Sequence, residues 1–253
     1  WGAPRDPRDM HRPFLTARWE CLVLLNYWCP PDLLASLVPT GTELDLWRGR
    51  TLVSLVGFLF RDTRLRGIPV PFHRTFEEVN LRFYVRRPIP GGPPRRAVVF
   101  IRELVPRRAI ALVARWAYNE PYLAVPMSHG GQLDPGRGGR LEYAWRYAGA
   151  GFALGAVVTG PSRPNPPGSE AEFITEHYWG YTRQPDGGTL EYRVEHPSWA
   201  VWDATRAYFT GPATALYGPA FGAVLEQEPS SAFVAVGSPV AVHAGHRLPG
   251  RAG

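Results

Sequence analysis

Polar and apolar side chains alternate most regularly over residues 76–85 (FEEVNLRFYV), and this alternation predicts a β-strand. Because successive side chains of a strand point to opposite sides, Glu78, Asn80 and Arg82 share one face, while the other face is largely apolar. An acid, an amide and a guanidinium at this spacing form a row of hydrogen-bond donors and acceptors. Such a row favours an enclosed polar site, although a strand with one face in solvent would show the same alternation.

Runs rich in β-branched and aromatic residues, bounded by glycine and proline, predict further strands along the chain. Strands are expected over 14–28, 44–47, 50–60, 73–86, 96–105, 122–127, 142–147, 151–158, 190–194, 200–207 and 232–242. Short helices are expected over 33–37 and 107–118, and residues 171–181 fit either a helix or a strand. Connecting loops are expected over 61–71, 88–94, 128–140 and 161–168.

Many strands, short turns and few helices indicate a mainly β (α+β) fold. We expect a closed or nearly closed antiparallel β-barrel or β-cone with a few short peripheral helices. The sequence has no internal repeat and no clear break in composition. It therefore predicts a single domain over 14–243, flanked by loose terminal arms at 1–13 and 244–253.

Composition narrows the range of functions. The net charge is +6, and all 28 basic residues are arginine, so no Schiff base can form on a lysine of this chain. The arginines are scattered and no nucleic-acid-binding motif occurs, so no nucleic-acid partner is expected. No apolar run approaches the roughly 18 residues of a transmembrane helix, and the first residues lack a signal-peptide core. We expect a cytoplasmic protein without a membrane partner.

Motifs for metals, cofactors and nucleophiles are weak or absent in the sequence. Cys21 and Cys29 do not form a CxxC pair, which argues against a disulfide framework and a thiolate zinc site. His243 and His246 have a spacing found in metal sites but lack an obvious third ligand. Neither a G-x-S-x-G elbow nor a phosphate-binding loop occurs. We expect neither a metal nor a cofactor.

Several motifs occur in the order found in one known family. They are Leu44-Asp45, Gly49-Arg50, the strand at 76–85, Glu120-Pro121-Tyr122, ITEHYWGYT at 174–182 and VEHPSW at 194–199. Over about residues 14–243 the sequence resembles the YqjF-like bacterial family of unknown function, which is grouped with the acetoacetate-decarboxylase-like fold. The resemblance implies a β-barrel or β-cone that encloses a small-molecule cavity.

The resemblance also bears on the chemistry. Acetoacetate decarboxylases carry a glutamate on a strand like that of Glu78, an arginine at a place comparable to Arg115, and a Schiff-base lysine. Tyr122 stands where that lysine would be. A phenol cannot form the iminium that serves as electron sink, so the resemblance implies the fold without the decarboxylase reaction.

These observations define two sets of candidate residues. The candidate acid–base groups are Glu78, Tyr122 and His196, and the candidate ligand-binding groups are Asn80, Arg82 and Arg115. For the polar strand row, a buried structural network is the competing interpretation. His177 and His196 each follow an acid in sequence, but neighbours on a strand face opposite ways and form no dyad by themselves.

Three hypotheses of function follow. The first is a protein that binds a small acidic or carbonyl compound in the barrel cavity. The second is a lyase, isomerase or hydratase that works without a Schiff base and uses Glu78 as acid and base. The third is a non-catalytic interaction or homo-oligomeric scaffold whose interior is filled with side chains.

Overall fold

The computed structural model describes residues 13–71, 74–107 and 119–248. In these ranges the strands are β1 (Leu15–Trp28), β2 (Glu43–Leu44), β3 (Leu52–Leu65), β4 (Ile68–Pro69), β5 (Phe76–Ile89), β6 (Gly92–Val105), β7 (Tyr122–Ala124), β8 (Met127–Asp134), β9 (Gly138–Tyr147), β10 (Ala150–Thr159), β11 (Trp179–Arg183), β12 (Thr189–Glu195), β13 (Val201–Asp203), β14 (Arg206–Thr210), β15 (Ser231–Val242) and β16 (His246–Arg247). The helices are α1 (Pro31–Ala35), α2 (Glu170–Thr175) and α3 (Ala213–Leu225). None of the helices in these ranges has the length and apolarity that a membrane crossing requires.

Seven strands form a ring in the order β15, β1, β3, β5, β6, β11, β12, and β12 pairs again with β15. The ring closes unevenly, because β6–β11 and β12–β15 each share only two residue pairs. A mainly β, nearly closed barrel with few short helices is thus confirmed. The pairing is antiparallel throughout the two sheets except at β6, which pairs in parallel with both β7 and β11. Parallel neighbours need a long crossover, which local sequence patterns do not reveal.

A second sheet, in the order β14, β10, β9, β8, covers part of the outside of the ring. Close contact between the sheets requires a glycine on β3, since a Cβ at Gly57 would lie 2.7 Å from Cδ2 of Tyr143 and 2.9 Å from Cδ2 of Leu154. One face of β3 therefore packs between the sheets and the other faces the ring interior. This double burial explains why the first part of β3 is almost continuously apolar.

Several predicted elements differ from the structure. The loop predicted over 128–140 is the hairpin β8–β9, whose first strand is an exposed edge strand without an apolar alternation. The connector predicted over 61–71 contains the end of β3 and the short strand β4, which pair with each other. The strand expected over 44–47 is reduced to β2, which pairs with β5. The terminal arm predicted as loose contains β16, which pairs with β12.

Helical elements were the hardest to predict. Residues 171–181 contain both a helix, α2, and the beginning of a strand, β11. The helix α3 was not predicted, because Gly218 (φ 78°) and Pro219 interrupt it and weaken every sequence signal for a helix. The helix predicted over 107–118 lies almost wholly outside the described residues.

Candidate functional site

The ring encloses a cavity of about 280 Å³, and the strand β5 supplies its polar wall. Five of the six candidate residues line this cavity, namely Glu78, Asn80, Arg82, Tyr122 and His196. Arg115 lies outside the described residues. The remaining lining is mainly apolar and aromatic, so the polar groups form a small, localised site.

Strand register places the polar groups side by side. Asn80 on β5 is paired with Glu103 on β6, and Glu103 is paired with Tyr122 on β7. Glu78 lies two residues before Asn80 on the same face of β5. Its Oε1 accepts a hydrogen bond from Nδ2 of Asn80 at 3.1 Å, and its Oε2 accepts one from the Tyr122 hydroxyl at 3.2 Å. Both oxygens of this buried carboxyl are therefore held in place.

Two further buried glutamates, Glu103 and Glu120, complete a cluster of three carboxyls around the Tyr122 hydroxyl. Thr182 and Tyr192 donate hydrogen bonds to Oε1 of Glu120, the latter at 3.0 Å. We did not identify either glutamate as a site residue from the sequence.

Irregular backbone geometry explains why Glu103 was missed. Val98 and Phe100 face the cavity, and period-two counting from them would place Arg102 there next. A register shift in the β5–β6 pairing lets Glu103 take that place instead. The only sequence signal is an acid that follows Arg102 near the end of an otherwise apolar stretch.

Burial keeps this cluster largely protonated. It raises the pKa of Glu78 to about 7 and that of Glu120 to about 8. Burial also raises the pKa of Glu103 well above its ordinary value, and the neighbouring carboxylates add to the effect. The hydrogen bonds from Asn80 and Tyr122, with the positive charge of Arg82, limit the shift at Glu78. Near neutral pH the cluster can donate hydrogen bonds instead of only accepting them.

Arg82 supplies a positive charge at the end of the polar row. One terminal nitrogen donates to the backbone oxygen of Ile174 at 3.2 Å, and the guanidinium carbon lies 5.7 Å from the ring centroid of Tyr84. Among the described residues, no carboxylate forms an ion pair with Arg82, and its Nε has no hydrogen-bond partner. The guanidinium is therefore available to an anion.

His177 is a buried histidine in the same lining. Its Nε2 lies 3.4 Å from Oδ2 of Asp45, which also accepts a hydrogen bond from Nε of Arg96 at 2.7 Å. Burial lowers the pKa of His177 to about 4, so the imidazole is neutral at physiological pH. Its ring centroid is 4.7 Å from that of Tyr84, which places it near Arg82.

His196 occupies a different part of the lining from the carboxyl cluster. Its ring stacks on Trp199 with centroids 4.2 Å apart, and its Nδ1 lies 3.0 Å from the backbone oxygen of Pro197. Burial lowers its pKa. Two other histidines face glutamates, with His243 Nε2 3.3 Å from Glu195 and His246 Nε2 3.1 Å from Glu191. Among residues 13–71, 74–107 and 119–248, no group of three or more histidine, cysteine, aspartate or glutamate side chains is arranged so that it could hold a metal ion.

The fold is of the acetoacetate-decarboxylase-like type. The structure is similar to an acetoacetate decarboxylase from Legionella pneumophila subsp. pneumophila str. Philadelphia 1, with a TM-score of 0.65 and 14% identity over 98% of this chain and 92% of that chain. An acetoacetate decarboxylase-like enzyme from Sphingomonas wittichii RW1 gives 0.62 and 14% over 96% of both chains. The enduracididine biosynthesis enzyme MppR, complexed with pyruvate, gives 0.67 and 17% over 95% of this chain and 92% of that chain. At such low identity these similarities establish the fold alone.

Residues 16–239 match the DUF2071 family, whose description is "Uncharacterized conserved protein", and the chain belongs to this family. The uncharacterized protein YqjF of Bacillus subtilis (strain 168) is 35% identical over 108 residues. That segment covers 42% of this chain and 42% of the YqjF protein, so the match spans less than half of this curated relative. The expected YqjF-like family and acetoacetate-decarboxylase-like fold are both confirmed.

Proposed function

We propose that the chain binds a small compound carrying a carboxylate and a carbonyl group inside the ring. The carboxylate pairs with Arg82, and the carbonyl oxygen accepts hydrogen bonds from protonated groups of the glutamate cluster. The observation that carries this proposal is that Arg82, which forms no ion pair with any described residue, shares one cavity with carboxyls of raised pKa.

The charges support an anionic ligand despite the three glutamates. A cluster of ionised carboxylates would repel an anion, but the raised pKa of Glu103 and that of Glu120 keep these side chains neutral near pH 7. Among the described residues of this lining, Arg82 is then opposed only by Glu78, whose pKa of about 7 leaves that carboxyl mostly neutral below pH 7. A guanidinium binds a carboxylate through two parallel hydrogen bonds, which are stronger in a partly buried site than in water.

Fold similarity adds an argument by analogy. MppR, which shares this fold, is described as complexed with pyruvate, a compound that has both a carboxylate and an adjacent ketone. The present chain contains no lysine, and the resemblance places Tyr122 where a Schiff-base lysine would stand. The proposed binding therefore involves no Schiff base on a lysine of this chain.

Isothermal titration calorimetry near pH 6.5 tests the proposal, with pyruvate, 2-oxobutanoate, acetoacetate and butanoate as probes. Arg82→Gln should weaken the binding of the best probe by at least about tenfold, because charge-assisted hydrogen bonds contribute about 1.5–3 kcal/mol. Arg86→Gln is the matched control, since Arg86 lies on the same strand but pairs with Glu43 on the surface. Equal affinities of wild type and Arg82→Gln would contradict the proposal.

A catalytic function is the second candidate, because Glu78 has a pKa of about 7 and contacts the Tyr122 hydroxyl. An ionised Glu78 would take a proton from the carbon next to the ligand carbonyl. The C–H electron pair then forms the carbon–carbon double bond of an enolate, whose oxygen Glu103 stabilises by a hydrogen bond. Removal of this proton to give an enolate is the step that such lyases, isomerases and hydratases share; in an isomerase, or in heavy water, a proton or deuteron then returns to carbon.

Exchange of ligand protons in heavy water separates catalysis from simple binding. If the chain is an enzyme of this kind, proton NMR will show loss of the C3 signal of 2-oxobutanoate in D₂O with wild type. Glu78→Gln should keep the calorimetric affinity and lose the exchange. If wild type binds 2-oxobutanoate without exchanging its C3 protons, the catalytic candidate fails and the binding function alone stands. A scaffold with a filled interior does not fit a cavity of about 280 Å³.

A further inference from the structure

We propose that the ligand is an amphipathic 2-oxo acid, whose hydrocarbon or aryl tail lies along an aromatic wall extending from the polar row. This inference rests on the proposed function, because it specifies the tail of a ligand whose head is held by Arg82 and the glutamate cluster. It excludes pyruvate-sized compounds as the best ligands.

The pairing of β3 with β5 sets the direction of the tail. The pairs run Ser54 with Arg82, Val56 with Asn80, Phe58 with Glu78, and Phe60 with Phe76. Paired side chains share one face of the sheet, with Cβ atoms about 4.5–5.5 Å apart. From Arg82 to Phe76 the inner wall therefore changes from polar to aromatic.

The neighbouring strand β1 extends the aromatic wall. A bulge at Cys21 (φ 59°) shifts the register of β1, and Trp19 is paired with Phe60 on the cavity side. Trp19, Phe60 and Phe76 thus form one level across three strands. Ring centroids are 5.9 Å apart for Trp19 and Phe60, and 4.6 Å apart for Phe60 and Phe76.

The dimensions of the cavity fit an elongated molecule. From Asn80 to Phe76 is four residues, or about 13 Å along the strand at roughly 3.3 Å per residue. The lining continues beyond the aromatic level to Leu15, Leu65 and Val70, near the β3–β4 hairpin. A ligand of two or three carbons bound near Asn80 would leave the aromatic wall uncovered.

An aromatic core that only stabilises the fold would be packed to the density of an organic crystal. Here Trp19, Phe58, Phe60 and Phe76 line an open space of about 280 Å³, compared with the roughly 30 Å³ that one water takes in the liquid. Covering such an apolar wall with a hydrocarbon group is favourable, because it removes apolar surface from water. A tail of matching character is the simplest occupant.

A chain-length series provides the test, with calorimetric titration of pyruvate, 2-oxobutanoate, 2-oxohexanoate and 2-oxooctanoate into wild type. Affinity should rise about fourfold per added methylene, since each buried methylene contributes about 0.8 kcal/mol. Constant or falling affinity along the series would overturn the inference while the short acids still bind through Arg82. Failure of every acid to bind would instead refute the proposed function.

Two variants on the β3–β4 hairpin, one in the cavity lining and one on the surface, add a second readout. Val70 lines the cavity and Ile68, two residues earlier on the same hairpin, is 70% exposed and does not line it. Val70→Asn should reduce the affinity ratio of the longer 2-oxododecanoate to 2-oxobutanoate, whereas Ile68→Asn should leave the ratio unchanged. Because the two acids share the same carboxylate and 2-oxo group, the affinity ratio cancels any effect of a variant on head-group binding. Equal ratios in wild type and Val70→Asn would count against a tail in this direction.

Discussion

The raised pKa of Glu78 has a measurable consequence for stability. The folded protein holds the Glu78 proton more tightly than the unfolded chain, because the pKa of this carboxyl is about 7 in the folded protein instead of the ordinary value of 4.5. A carboxyl with a raised folded-state pKa contributes stability that is complete below pH 4.5 and is lost as the pH rises through 7. Glu78→Gln removes this titration and leaves a neutral side chain of similar shape.

The size of the effect follows from these two pKa values. The Glu78 contribution to the free energy of unfolding is about 2–3 kcal/mol at pH 5 and close to zero at pH 9, for a shift worth about 1.4 kcal/mol per pKa unit. Wild type should therefore lose about 2–3 kcal/mol more than Glu78→Gln between these two pH values.

Urea unfolding monitored by tryptophan fluorescence at several pH values between 5 and 9 measures this difference. Glu43→Gln serves as the control, because Glu43 forms an exposed ion pair with Arg86 outside the cavity. Its stability should run parallel to that of wild type across the range. A constant gap between wild type and Glu78→Gln from pH 5 to pH 9 would refute the assigned burial of this carboxyl.

Three further variants test neighbouring parts of the site. Tyr122→Phe removes a hydrogen bond that lowers the pKa of Glu78, so the stability change that depends on Glu78 should have its midpoint at a higher pH. An unchanged midpoint would contradict the hydrogen bond between Tyr122 and Glu78. His177→Gln should make the free energy of unfolding less sensitive to acid. The pKa of His177 is about 4 in the folded protein instead of 6.5, which costs wild type about 3 kcal/mol of stability as the pH falls from 7.5 to 4. Urea unfolding measures this loss, and an equal loss in wild type and variant would contradict the neutral buried imidazole. Gly180→Ala should destabilise the protein by about 1–3 kcal/mol, because the added Cβ would lie 2.1 Å from the Tyr192 ring. Gly151→Ala is the control, since its Cβ would meet no atom within 4 Å and should change thermal unfolding little. Equal effects of the two variants would argue against this packing.

Local patterns sufficed for much of the fold. The strand β5 was predicted from period-two alternation, and β1, β6, β10 and β15 from runs of β-branched and aromatic residues. Each of these strands has a buried face, so its sequence reflects its surroundings. The exposed strand β8 was missed for the same reason, since nothing buries it.

The site was only partly predictable because its members come from strands that are distant in sequence. Alternation brought Glu78, Asn80 and Arg82 together from one segment. Glu103 entered the cavity through a register shift, and no single-sequence pattern reports such a shift. Glu120 is buried by contacts with Thr182 and Tyr192, which only the folded ring brings near.

The central claim is that the cavity binds a 2-oxo acid with its head at the polar row and its tail along the aromatic wall. A crystal structure of the chain with 2-oxooctanoate tests this claim most directly. We predict the carboxylate within hydrogen-bond distance of the Arg82 guanidinium, and the hydrocarbon chain running past Phe58 towards Trp19 and Phe60. A ligand-free interior, or Glu78 and Arg82 exposed to bulk solvent, would contradict the account.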